Sequence, residues 1–296
     1  MTQQFRITPP YDLILRGSEA VPFGLYHLHL LTAEQVTRLY YSPNSLKQVQ
    51  KRLKTLADHG YVQVDATPVK HHGQHGIFFS PRYYYALGNE GMRYLRRAGL
   101  DVHDTWRASK EVDKHALFLE HTLELNDVLI SAAKLRQAEA RYHLETLVHD
   151  RLLKRSPFEV KIGNRRVRLI PDAFLDFRFA DKRLPLYLEH DRSSEQEEHF
   201  RRRIRVYIEW VKSGVYRERF GASVVTVAFT TFAVDRRLQQ MRSWTNTELQ
   251  STQESAEVSG TFLFASLPPA PTSQQVWLEP CWYMASDNTA FSLLQS

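Results

Sequence analysis

A buried strand runs directly into an arginine-rich helix in the stretch LPLYLEHDRSSEQEEHFRRRIRVYIEW, residues 184–210. Its first part is nearly all apolar, as in a strand covered on both faces, and its second part has helical spacing. An upstream apolar run, RLIPDAFLDF, places Asp172 directly after a proline. Glu189 and Asp191 share one strand face, because side chains alternate with a period of two. We therefore expect an α/β domain with a central mixed sheet and with these three acids at one edge.

The net charge of +6 lies entirely in the first third of the chain. Through residue 110 there are 14 Lys and Arg against 8 Asp and Glu, and the remainder holds 25 of each. A basic segment beside a neutral one favours a polyanionic partner, and nucleic acid is the commonest.

Length and composition limit the remaining classes. A chain of 296 residues with 43% hydrophobic residues is expected to form two domains. No apolar run reaches bilayer-spanning length, and the N-terminal MTQQFRITPPYD lacks the order of a signal peptide. The single Cys281 excludes an intrachain disulfide. We expect a cytoplasmic protein with no membrane partner, and a homodimer stays open.

The periodicity changes from helix to strand at Gly60. Thr32 and Gln35 form a capping-box pattern, and the next helix, SLKQVQKRLKTLADHG, is predicted to start at the cap Ser45 and to stop at Gly60. The strand-like YVQV, GIFFS and YYYAL then enclose the polar loop TPVKHHGQHG. This order predicts a winged helix-turn-helix over residues 10–100, a linker over 101–113 and a second domain over 114–290.

The second helix predicts an interface with double-stranded DNA, because its polar face lies apart from its apolar stripe. The residues expected to contact DNA are Ser45, Lys47, Gln48, Gln50, Lys51, Arg52 and Lys54 from this helix and Lys70 from the wing. The alternative is that these lysines only solubilise an exposed face. A zinc site at His71, His72 and His75 is disfavoured, since zinc normally takes four well-spaced ligands and no cysteine lies near.

Residues 115–232 resemble the PD-(D/E)XK nuclease-like core in their order of helix, three strands, helix and strand. In that family two strand acids bind Mg²⁺, and a lysine two residues after the second acid positions or activates the attacking water. Asp172 and Glu189 match the acids, but Asp191 stands in place of the lysine. The resemblance implies a catalytic Mg²⁺ or Mn²⁺ site at Asp172, Glu189 and Asp191, with Arg203 a candidate for the missing charge. The alternative is that arginines such as Arg192 pair with the acids.

The whole arrangement is similar to the replication-relaxation family of bacterial plasmids and other mobile elements. The similarity covers roughly residues 10–232 and is carried by the N-terminal winged helix and by FLEHTLELNDVL, IPDAFLDF, LYLEHDRSSE and RIRVY. It implies a DNA-binding accessory or regulator of replication, relaxation or transfer, with other replication or transfer proteins as partners. Two alternatives stay open: a Mg²⁺-dependent endonuclease that nicks or cleaves DNA, and a transcriptional regulator.

Overall fold

The described residues divide into two compact units, one that ends at Ala133 and one that begins at Lys134. The computed structural model describes residues 17–73, 76–102, 106, 108, 116–233 and 235–294. Among these residues no helix has both the length and the apolar character needed to cross a membrane.

The first unit combines helices with a three-stranded sheet of order β1-β3-β2. Its elements are α1 (Val21–Leu28), β1 (Leu30–Leu31), α2 (Ala33–Tyr40), α3 (Leu46–Asp58), β2 (Val62–Gly73), β3 (Gly76–Leu87), α4 (Asn89–Arg97) and α5 (Ala116–Ala133). The order α2, turn, α3, hairpin is the one from which the winged helix was predicted.

Helix α2 begins with the predicted capping box. The backbone N–H of Gln35 donates to Thr32 Oγ1 at 3.2 Å, and Gln35 Oε1 accepts from the Thr32 N–H at 3.1 Å. The same side chain also extends to α5, where its Nε2 donates to the Leu123 carbonyl at 2.7 Å and to Asp127 Oδ1 at 2.8 Å. Gln35 therefore caps one helix and joins it to another.

Helix α3 ends at the predicted glycine. Gly60 has a φ of 73°, a left-handed conformation that favours glycine. Its N–H donates to the Ala57 carbonyl, and the next N–H, of Tyr61, donates to the Leu56 carbonyl, which together form a Schellman motif. The start differs from the prediction, because the Ser45 side chain makes no bond to the helix backbone and its hydroxyl instead lies 2.8 Å from that of Ser42.

The hairpin is longer than the sequence predicted. Most of the expected polar loop is strand, since β2 continues to Gly73 and pairs with β3 from Val62↔Leu87 to Gly73↔Gly76. Cross-strand hydrogen bonds satisfy the backbone of residues whose composition alone indicated a loop. The predicted wing residues Lys70, His71 and His72 lie in β2, but the structure does not describe their side chains. His75 lies outside the described residues.

Helix α5 packs within the first compact unit. Asn126 fixes it there, because its Nδ2 donates to the carbonyls of Leu28 at 2.8 Å and Leu30 at 2.5 Å. Leu119 and Leu123 of the same helix pack with Tyr84 in a buried cluster. These contacts of α5 lie within the unit that ends at Ala133.

The second unit contains a six-stranded mixed sheet, as predicted, in the order β11-β10-β9-β8-β7-β4. Its elements are α6 (Leu135–Ala138), β4 (Tyr142–His149), α7 (Asp150–Leu153), β5 (Phe158–Ile162), β6 (Arg165–Leu169), β7 (Ala173–Phe179), β8 (Lys182–Asp191), α8 (Glu197–Ser213), α9 (Val215–Phe220), β9 (Thr226–Thr231), α10 (Asp235–Ser251), α11 (Ala256–Ser259), β10 (Phe262–Ser266) and β11 (Tyr283–Met284). Strands β8, β9 and β10 are parallel neighbours, and β4, β7 and β11 run antiparallel to theirs.

Aromatic rings fill the core between the sheet and α8. The ring of Trp210 on α8 lies 4.6 Å from that of Tyr187 on β8 and 5.1 Å from that of Phe158 on β5, measured between centroids. Tyr187 also packs at 4.9 Å on Phe174 of β7. This packing holds α8 beside β8, and so sets where the polar residues at the end of β8 lie.

We expect Gln35→Ala to lower the free energy of unfolding of the protein by about 1–3 kcal/mol. The change removes one half of the capping box and leaves the buried Leu123 carbonyl without the Gln35 donor. Gln50→Ala on the exposed face of α3 is the matched control and should cost less than about 0.5 kcal/mol. Denaturant unfolding followed by circular dichroism measures both, and equal stability of the two variants would contradict the role given to Gln35.

Candidate functional site

The exposed face of α3 carries the predicted DNA-contacting residues. Val49 and Leu53 turn inward, each only 1% exposed. The residues of α3 that were predicted to contact DNA are all exposed: Lys47, Gln48, Gln50, Lys51, Arg52 and Lys54. Helical spacing places Lys47, Lys51 and Lys54 in one row along the helix. The structure thus separates an apolar inner stripe from a cationic outer face, as the sequence predicted.

Local contacts distinguish the members of this face. Lys54 Nζ lies 3.6 Å from Asp58 Oδ2 in an exposed pair, which contributes little to stability. The Arg52 guanidinium lies over the Tyr41 ring, 5.3 Å from its centroid. Ser45 is half-buried at the start of the helix.

The three predicted acids lie at one edge of the six-stranded sheet. Asp172 directly precedes β7, and Glu189 and Asp191 lie at the carboxyl end of β8. Because β7 is antiparallel to β8, with Ala173 paired to Leu188, the start of one strand lies beside the end of the other. Asp172 Oδ2 accepts from the backbone N–H of His190 at 2.8 Å, and this bond ties the turn before β7 to β8.

Glu189 is buried and paired with Arg203 of α8. Arg203 Nη1 donates to Glu189 Oε2 at 2.8 Å, and the Tyr207 hydroxyl donates to Glu189 Oε1. Arg203 also donates through Nη2 to Glu195. Burial alone would lower the pKa of Arg203, but the charges of Glu189 and Glu195 outweigh it and raise that pKa above its ordinary value. Burial and the Glu189 charge also raise the pKa of Tyr207, so both groups stay protonated as donors.

Asp191 is held by a second arginine, from α10. Arg237 Nε donates to Asp191 Oδ1 at 2.7 Å and Arg237 Nη2 donates to Oδ2 at 2.8 Å, a bidentate pair of two buried side chains. The backbone N–H of Ser193 donates to the same Oδ1 at 2.7 Å. Arg237 Nη2 further donates to the Glu195 carbonyl at 3.0 Å, and its guanidinium lies over the Trp244 ring. Asp191 thereby joins β8 to α10.

The arginines of α8 near these acids serve different carboxylates. Arg201 and Arg205 both donate to the buried Glu248 of α10, at 2.5 and 3.0 Å. Lys161 is exposed on β5. Arg203 is therefore the sequence-predicted cation that the structure places against the acids.

Sequence reasoning missed Arg237 and Tyr207 as partners of the acids, because neither residue lies near its partner in the chain. It also missed a charged group beside Asp172, where Asp150 begins α7. The Asp150 N–H donates to the Asp172 carbonyl at 2.8 Å, and the Asp150 carboxylate pairs with His149 and Lys154. Burial would raise the pKa of Asp150, but its contacts with His149 and Lys154 hold that pKa well below its usual range.

The acidic edge does not fit a divalent cation as it stands. Mg²⁺ and Mn²⁺ need several carboxylate or carbonyl oxygens turned towards one point. Here the carboxylates of Glu189 and Asp191 accept from arginine, tyrosine and backbone donors, and Asp172 accepts from a backbone N–H. Within the described ranges there is no group of three or more His, Cys, Asp and Glu side chains placed to hold a metal ion. Two of the three acids, Glu189 and Asp191, are neutralised by arginines.

We expect Arg237→Gln to destabilise the protein by about 3–5 kcal/mol, because it leaves the Asp191 carboxylate buried without its partner charge. Arg166→Gln is the matched control, since it breaks a pair of the same charge type at 3.0 Å that is exposed on the β5–β6 hairpin. The control should cost less than about 1 kcal/mol. Chemical denaturation gives both values, and a cost for Arg237→Gln no larger than for the control would show that the buried pair is not structural.

We expect Mg²⁺ and Mn²⁺ at millimolar concentration to leave the melting temperature unchanged, because a ligand that binds the folded state raises it by mass action and this edge has no open carboxylate set. Differential scanning fluorimetry with and without a chelator tests this. A rise that disappears in Glu189→Gln and persists in Glu159→Gln, an exposed control, would restore the metal site.

The family of the chain follows from comparison with known proteins. A family model described as replication-relaxation matches residues 24–226, which span α1 to the start of β9 and include both the cationic face of α3 and the acidic edge. Searches of curated proteins and of solved structures returned no significant match. Since the model covers well over half of the 296 residues, the chain belongs to the replication-relaxation family.

Proposed function

We propose that this protein binds double-stranded DNA through the exposed face of α3. In this role it is an accessory or regulator in the replication or relaxation of a plasmid or other mobile element. One observation carries the proposal: Val49 and Leu53 form a buried stripe on α3, and a row of exposed lysines lies on its other face.

The geometry of α3 supports a helix that enters the major groove. That groove admits an α-helix, and lysines along the outer face meet phosphates while glutamines meet base edges. The α3 row contains both types, since Gln48 and Gln50 lie among the lysines. Helix α2 and the β2–β3 hairpin flank α3 in the order of a winged helix, and this arrangement supports the same assignment.

The pairing at the acidic edge supports binding rather than cleavage. An arginine guanidinium stays protonated and cannot act as a base. Glu189 and Asp191 are each engaged by an arginine, so neither carboxylate is open in the role that the nuclease-like resemblance implies. We therefore assign no chemical step to this unit, and the endonuclease alternative stays a prediction.

We expect Lys47→Ala with Lys51→Ala to weaken binding to duplex DNA and to flatten its dependence on salt. Each lysine that neutralises a phosphate releases counterions, so the slope of log K against log salt should become shallower by about 0.9 per lost contact. Fluorescence anisotropy with a labelled duplex, titrated at several salt concentrations, measures both quantities.

The matched control removes the same charge elsewhere. Lys161→Ala with Arg166→Ala takes two exposed cations from the β5–β6 hairpin and should leave the affinity and the salt slope near those of the wild type. If both double variants lose affinity equally, only the net charge matters and the α3 face has no special role. If neither loses affinity, DNA binding through α3 is refuted.

A further inference from the structure

An aromatic surface lies on the β2–β3 hairpin beside α3. Phe79 is 63% exposed, Tyr83 55% and Val64 48%, the values of solvent-facing side chains although all three are large and apolar. Residues 79, 81, 83 and 85 share one face of β3 because side chains alternate along a strand. The register places Val64 of β2 opposite Tyr85 and Ala66 opposite Tyr83, on the same face. We call Val64, Phe79 and Tyr83 the aromatic face of the hairpin.

A groove separates this face from α3. It encloses about 930 Å³ and is lined by Gln50, Lys54 and Ala57 of the helix and by Val64, Tyr83 and Tyr85 of the hairpin. Four charged residues line it as well, two cationic (Lys54 and Arg82) and two acidic (Glu34 and Asp58). Because these charges balance, the groove itself favours an uncharged, flat ligand over a phosphate.

Two exposed lysines of α3, Lys47 and Lys51, do not line the groove. Lys47 and Lys51 belong to the same helical stripe as Gln50 and Lys54, so they continue the helix wall beyond the groove. A neutral groove with aromatic rings beside a cationic row matches the two halves of a nucleic-acid strand, bases and phosphates. Proteins that hold single strands combine these features, since rings stack on bases of any sequence.

We propose that the groove between α3 and the aromatic face binds unpaired bases of DNA. One base stacks on Tyr83, which lines the groove, and a neighbouring base stacks on Phe79, which is exposed on the same face of β3 outside the groove lining, while the α3 lysines hold the phosphates. This inference rests on the proposed DNA binding by α3 and names a preferred form of DNA: a strand that is locally unpaired. In a fully paired duplex the bases stack on each other, so the rings contact only the outside of the helix.

A second copy of the chain is a weaker occupant of the same surface. Two copies that meet through their aromatic faces would bring together two rows that each contain Lys47, Lys51 and Lys54, with Asp58 as the acidic residue within the row. Like charges at close range oppose such a contact, whereas they favour a polyanionic strand.

The test compares three DNAs of one sequence: a paired duplex, the same duplex with a central unpaired stretch, and the single strand. Fluorescence anisotropy should show that the wild type binds the two DNAs with unpaired bases more tightly than the duplex. Phe79→Ala with Tyr83→Ala should remove this preference, with a loss of about tenfold per ring on unpaired DNA and little change on the duplex. Both side chains are exposed, so the variant is expected to fold.

A matched control keeps the rings. Phe79→Tyr with Tyr83→Phe exchanges the two side chains and should keep the preference for unpaired DNA. Stacking can also be measured directly with 2-aminopurine placed in the unpaired stretch. Its fluorescence should be quenched by the wild type and by this control but not by the alanine variant. Equal loss on duplex and unpaired DNA in the alanine variant would overturn the inference.

One outcome separates this inference from the proposed function. If the Lys47 and Lys51 variant loses duplex binding while the alanine variant binds every DNA as the wild type does, α3 binds DNA and the aromatic face does not. If the wild type binds none of the three DNAs, both proposals fall. Sedimentation that shows a wild-type dimer and an alanine-variant monomer would assign the aromatic face to self-association and overturn the inference.

Discussion

The two arginine–carboxylate pairs at the end of β8 hold the second unit together. Arg203 joins Glu189 to α8, and Arg237 joins Asp191 to α10, so that one central strand is fixed to two helices. All four side chains are buried or half-buried, and an isolated charge there would be costly. Each acid therefore requires its arginine, and the backbone and hydroxyl donors around them complete the pairing. At this edge of the sheet, α8 and α10 are anchored to β8.

The uneven charge of the chain has a structural counterpart. In the second unit, acids and arginines neutralise each other inside the fold, as at Glu189 and Asp191 and at Glu248, which accepts from two arginines of α8. In the first unit, the lysines of α3 remain at the surface, where an external polyanion can meet them. Cationic side chains thus have different roles in the two units. Buried arginines pair with acids of the same chain, whereas exposed lysines can pair with a partner outside it.

Several local signals were read correctly, although the Ser45 cap and the length of the hairpin were not, and one long-range pairing was missed. The capping box of Thr32 and Gln35 and the stop at Gly60 were predicted because each depends on residues a few positions apart. The edge shared by the three acids followed from strand alternation and from the order of strands. The partner of Asp191 could not be predicted, since Arg237 lies 46 positions away and any of several arginines could have served. The contacts of helix α5 could not be predicted either, since the Asn126 side chain donates to the carbonyl of Leu28, 98 positions away.

The register of the hairpin limits how its length can vary. Each residue of β2 from Val62 to Gly73 has a partner on β3, in an unbroken ladder. Inserting one residue into either strand would turn every side chain beyond it to the opposite face, unless a bulge absorbs the extra residue. Phe79 would then point away from the face that Tyr83 keeps. Relatives that share this surface should therefore differ in hairpin length by whole pairs of residues in each strand, and a change by one residue should coincide with a bulge or with loss of the aromatic pattern.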